Sequence, residues 1–193
     1  MYKVRIKSYL YNFEINSPLA IDGFIIEPRK NIHIICKEIK NNLIPQVTCY
    51  IKCELNFNKN ILVDEIIKTE NYKRFVNKLD ILSYLFSFSQ KTHVPYSGIL
   101  IYEKNKPVSK EYLATYFGTP YGRKFICDQG TLNHFYSYSL KSILELDDSE
   151  RYILQTAFCF YILSFQYKSH IGDKLIQLWI VFEMLINYYS NKQ

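Results

Sequence analysis

The chain has 193 residues, enough for one good-sized domain or for one domain and part of a second, since single domains run about 100–150 residues. Hydrophobic residues make up 48% and charged residues 22%, which excludes a disordered chain and supplies ample core. A net charge of +6 permits an anionic partner such as nucleic acid without requiring one, and five cysteines with no CxxC pair speak for a reducing cytoplasm.

The start, MYKVRIKSYLYNFEI, has none of the charged, apolar and cleavage regions of a signal peptide. The first 60 residues read as strands: 2–15, 23–26 and 31–38, punctuated at 16–18 and 28–30, and then VTCYIKCELNF. In that last run Val47, Cys49, Ile51, Cys53, Leu55 and Phe57 alternate with polar residues, so one face is buried and the other wet. Cys49 and Cys53 share a side, too far apart along one strand for a disulfide, and are expected to pack in the core.

The period then changes. In NYKRFVNKLDILSYLFSFSQ, Phe75, Val76, Leu79, Leu82, Leu85 and Phe86 recur at helical spacing, which predicts a helix packed on an antiparallel sheet. THVPYSGILIYEKNKP reads as a strand or hairpin limb, and Ser109 as the cap of a short helix ending at Gly118. The turn-rich TPYGRKFICDQG, 119–130, is the expected boundary. Beyond it Asp147, Asp148 and Ser149 precede a helix over 150–168, and a break through Gly172 leads to a second helix capped by Asp173. Both are apolar over more than a narrow stripe, so each is covered on several sides or keeps a face for a partner. The longest uncharged apolar segment, 152–167, is shorter than the roughly 20 residues of a membrane-spanning helix, so no membrane association is expected.

Chemistry-bearing residues are few. Lys3, Arg5 and Lys7 share one face of the first strand and lead into Tyr9 and Tyr11, a basic-to-aromatic stripe suited to phosphates and bases. The plainer reading is an exposed edge strand protected by charge. Arg123 and Lys124, with Tyr121, add a basic loop, which is as readily simple solvated charge. The sequence has no Walker loop, GxGxxG, HExxH, EF-hand or GxSxG, and its His and Cys residues form no zinc set; neither cofactor nor metal is expected. Cys127 and His134 lie seven apart with no orienting group, a weak nucleophile signal.

DKLIQLWIVFEMLIN, preceded by an apolar helix and a short linker, resembles the tryptophan- and glutamate-bearing helix of the Apea-like branch of the HEPN superfamily. KLDILSYLFSFSQKTHVPYSG upstream is similar to the segment that often precedes the HEPN part, and the two stretches together cover about a third of the chain. The resemblance implies a helical bundle that dimerises, and RNA chemistry or defence. Active HEPN members cleave RNA without metal through an Arg and a His four to six residues apart: an imidazole moves the proton and a guanidinium neutralises the developing phosphorane charge. This sequence has no such pair. Its nearest approach, Arg29 and His33, has three residues between and lies in the strand-rich half. No catalytic residue is therefore assigned, and family members continue through further helices beyond the second HEPN-like one.

Trp179 and Glu183 are the interface candidates the resemblance implies, with Glu183 orienting an arginine outside this chain. Helical spacing puts Glu183 on the apolar, inward side with Trp179 and Ile176, opposite a wet stripe at Lys174 and Gln177. The alternative is a carboxylate paired with Lys or Tyr inside the fold, or one at the helix margin. The expected architecture is α+β: an antiparallel sheet and packed helix over 1–130, then a partial HEPN-like helical hairpin over 140–193. The expected function is association in an RNA-linked defence or toxin–antitoxin system, as regulator or antagonist of a HEPN nuclease, through a homodimer or protein partner at the terminal helices and with RNA as a further ligand. The alternatives are the N-terminal portion of an active HEPN ribonuclease and a plain interaction or sensor domain.

Overall fold

A computed structural model describes residues 2–42, 46–58, 61–90, 92–103, 106–111, 129–164 and 170–190. The described fold is α+β. Six strands, β1 (Tyr2–Tyr11), β2 (Leu19–Ile21), β3 (Phe24–Pro28), β4 (Val47–Phe57), β5 (Tyr96–Glu103) and β6 (Lys106–Glu111), form one antiparallel sheet in the order β2-β3-β4-β1-β5-β6. The helices are α1 (Ile32–Asn42), a single turn α2 (Val63–Ile66), α3 (Glu70–Gln90), α4 (Gln129–Glu145), α5 (Asp148–Leu163) and α6 (Ile171–Ser190).

The alternation in β1 and β4 sends Val4, Ile6, Leu10, Cys49 and Ile51 to one face of the sheet, where they meet Phe24 and Ile26 of β3 and Ile99 and Ile101 of β5. Helix α3 closes this face with Phe75, Leu79, Leu82 and Phe86; Phe24 stacks on Phe75 and Phe13 on Phe86, with centroids 5.6 and 4.3 Å apart. Several polar groups drawn into the core are bonded, although the side-chain oxygen of buried Asn12 has no hydrogen-bond partner among the described residues. The Thr48 hydroxyl accepts from the Phe13 amide at 2.9 Å and donates to the Leu10 carbonyl at 3.3 Å, and the Ser83 hydroxyl donates to the Val94 carbonyl at 2.6 Å.

Helix α4 begins at Gln129, at the end of the expected 119–130 boundary, and belongs to the same core. Its Tyr136 is fully buried against Phe13 and Phe86, with its hydroxyl 2.6 Å from that of Ser89, and Leu140 and Ile143 lie in the same cluster. Helix α5 packs on α3 through the parallel rings of Phe158 and Tyr84, 5.7 Å apart, and α6 packs against α5.

Four expectations are corrected. Residues 31–38 are not a strand: α1 runs through them, because Ile32, Ile35 and Cys36 recur at helical spacing, and Asn31, at φ 61°, turns the chain out of β3 while its carbonyl accepts from the Ile34 and Ile35 amides. Ser109 caps no helix. It lies in β6 opposite Ile101. Strand β1 is not an edge strand, since β4 and β5 flank it on both sides. Asp173 sits in the first turn of α6, three residues after His170, whose amide it accepts at 3.2 Å, rather than ahead of the helix. The expected helix to residue 168 is described to Leu163, and the stretch 119–128 lies outside the described residues.

Candidate functional site

Among the described residues two surfaces stand out as open. The first is the face of the sheet turned away from α3. Because β1 alternates strictly, Lys3, Arg5, Lys7, Tyr9 and Tyr11 all emerge on it, as the sequence pattern predicts. What the sequence does not disclose is what stands beside them. The β1–β4 register sets Arg5 opposite Glu54, Lys7 opposite Lys52 and Tyr9 opposite Tyr50; β3 adds Ile25 and Glu27 next to Lys52 and Tyr50, and β5 adds Tyr102 next to Arg5. Arg5, Lys7, Lys52, Glu54, Ile25 and Tyr102 line a groove of about 630 Å³.

The charges on this face are unequally matched. Glu54 takes both Arg5 Nε at 3.0 Å and Lys3 Nζ at 3.5 Å, and the Arg5 hydrogen bond, then the Lys3 charge, hold its carboxyl below the usual range. Lys52 pairs with Glu27. Among the described residues no carboxylate pairs with Lys7. Its ammonium lies instead 3.8 Å from the centre of the Tyr50 ring and 5.5 Å from that of Tyr9, and partial burial, then the Lys52 charge, lower its pKa against the opposing pull of Glu27. Tyr9 and Tyr50 meet edge to face at 5.7 Å. A bulge in β5 shapes this corner: between Lys7 and Tyr9 the register slips, Gly98 takes φ +66°, and a Cβ there would come 3.3 Å from the Tyr9 ring.

The second surface is α6. Ile171, Leu175, Ile176, Trp179, Phe182 and Ile186 are between 60% and 71% exposed. Helical spacing groups Trp179, Ile176 and Glu183 on one side correctly, but that side faces outward rather than inward, and Glu183 is exposed with it. Lys174 and Gln177, expected on the wet stripe, are part-buried, and the Gln177 side-chain oxygen is buried without a hydrogen-bond partner. The reason is that α6 is apolar almost all round, so periodicity alone could not say which side α5 would take. The expected Lys or Tyr partner for Glu183 is not found among the described residues. The hydroxyl of Tyr188 donates to Glu150 of α5 at 2.6 Å instead.

No family model, curated protein or solved structure matches this chain. Arg123 and Lys124 lie outside the described residues. Among the described residues no three His, Cys, Asp or Glu side chains are grouped to hold a metal ion, and no helix is long and apolar enough to cross a membrane.

Proposed function

We propose that this chain acts by association, through the outward face of α6, in the RNA-linked defence setting that its resemblance to Apea-like HEPN proteins implies. The supporting observation is the exposed stripe itself. Six large apolar side chains in contact with water on one helix are unusual for a surface, and burying each is worth roughly 1.5–3 kcal/mol. Together with the same stripe on a second copy, that is enough to offset an association cost of about 4–15 kcal/mol.

The spacing favours a second copy of this chain as the cover. Gly172, Leu175, Ile176, Trp179, Phe182, Glu183 and Ile186 lie three, four and seven residues to either side of Trp179. An antiparallel pair of α6 helices with its two-fold axis at Trp179 therefore stacks the two tryptophans, sets Ile176 against Phe182 of the partner subunit, and gives Ile186 the space over Gly172 of the partner subunit. The single carboxylate of this set, Glu183, falls within the seam, opposite Leu175 of the partner subunit.

Light scattering on the purified chain tests the reading. The expected result is a dimer at micromolar concentration that Trp179→Asp converts to a monomer with an unchanged circular dichroism spectrum. A wild-type chain that stays monomeric at high concentration overturns it.

A further inference from the structure

We infer that the open face of the sheet is a binding site for a strand of single-stranded nucleic acid, with phosphates on Arg5, Lys7 and Lys52 and bases on Tyr9 and Tyr50. This site lies on β1, β4 and β5, apart from α6, and stands independently of the association reading.

Three observations point to this ligand. The first is charge: four cations, Lys3, Arg5, Lys7 and Lys52, share the face with two carboxylates, Glu54 and Glu27, so the described side chains leave a positive excess over the groove. An anion has most to offer at Lys7, whose ammonium leans on ring faces, has no carboxylate paired with it among the described residues, and has a second lysine directly across the strand pair. The second is chemistry. Tyrosines next to those cations give flat surfaces on which any base can stack, and alternating cations and rings is how sequence-tolerant single-strand sites are built. Moving Lys7 onto a phosphate would uncover the Tyr50 ring it now covers. The third is length and shape: the stripe from Lys3 to Tyr11 runs about 26 Å at ~3.3 Å per residue, enough for several nucleotides, on an open sheet face that a rigid duplex would touch only along one ridge. Because β1 is a central strand, its backbone groups are already paired to β4 and β5, so the face offers side chains to a ligand rather than a free edge to another strand.

Fluorescence anisotropy with a labelled 12-nucleotide oligouridylate, titrated with the full chain at several salt concentrations, tests the inference. Binding is expected at low salt and to weaken as salt rises. Lys7→Gln and Lys52→Gln should each lower affinity and flatten the logarithmic salt dependence by about 0.7 for each phosphate no longer neutralised. Tyr50→Ala should cost about tenfold while Tyr50→Phe, which keeps the ring, restores binding. Glu54→Gln should tighten binding, because it releases Arg5 and Lys3 and removes a negative charge, an effect that a damaged fold cannot imitate. The inference fails if the wild-type chain does not bind at low salt, if the lysine variants bind as the wild type does, or if a duplex of equal length binds as tightly as the single strand. Trp179→Asp should leave this affinity in place, so loss of the dimer and loss of the oligonucleotide are separate results.

Discussion

Asp80 and Tyr96 show how one residue's state follows from its surroundings. The Tyr96 phenol, on β5, donates to Asp80 Oδ1, on α3, at 2.6 Å, where burial raises the carboxyl pKa and the Tyr96 bond pulls it back down. The folded protein therefore holds the Asp80 proton to higher pH than the unfolded chain does. Stability from this group is present at low pH and is lost as pH rises from the ordinary carboxylate range through the folded pKa. Replacing Tyr96 by Phe removes the donor and leaves a part-buried carboxylate short of a hydrogen bond. Urea unfolding at neutral pH should show a loss of about 1–3 kcal/mol, and the loss should shrink in acid as Asp80 takes a proton. A loss that is the same at both pH values would mean that Tyr96 acts by packing alone. No sequence pattern marks this pair, because sixteen residues and a change from helix to strand separate them.

Among the elements, α5 has the most explicit local code. Asp147 accepts from the Glu150 amide at 2.8 Å while the Glu150 carboxylate accepts from the Asp147 amide at 3.3 Å, a reciprocal capping box that the acidic run before the helix announces. Asp147→Ala should lower stability by about 1 kcal/mol in thermal or urea unfolding. One turn on, Arg151 donates to the carbonyls of Leu144 at 3.2 Å and Leu146 at 2.6 Å, so the same stretch that starts α5 also closes α4. The second role is not legible in the sequence, since it depends on the angle between two helices. The bounds of strand β4 are legible, because its sequence alternates apolar and polar residues, but Thr48 on the expected wet side is buried and bonded to Phe13 and Leu10. Segment 31–38 is ambiguous because a short apolar run fits both periods, and the turn at Asn31 and the space beside β4 decide for the helix over the expected strand. Strand β2, three residues long, is too short to carry a pattern.

Among the described residues, the sheet is covered on one face by α3 and α4 while the other face keeps its cations and rings, and α6 packs chiefly on α5 with its widest apolar side turned out. The position of Glu183 in this seam yields a prediction that belongs to this scale, because it separates self-association from capture of another protein. In a homodimer centred on Trp179, Glu183 falls opposite Leu175 of the partner subunit, and Glu183→Leu should tighten the dimer several-fold in a sedimentation titration by removing a desolvated charge. A weaker dimer in this variant would mean that the carboxylate meets a cation or donor across the seam. That result would reject the two-fold arrangement.

Alternation and helical spacing in the sequence determined that β1 and β4 are two-faced, that α3 is a core helix and that Trp179 and Glu183 share a side, because each of these depends only on the geometry of a single element. Tertiary structure alone decided that β1 lies at the centre of the sheet, that Tyr50, Lys52 and Tyr102 join its basic stripe, and that the side of α6 holding Trp179 faces water. Strand order and helix docking are set by the competition of all apolar surfaces for a limited amount of cover, and when an element is apolar on several sides its own residues cannot say which side loses.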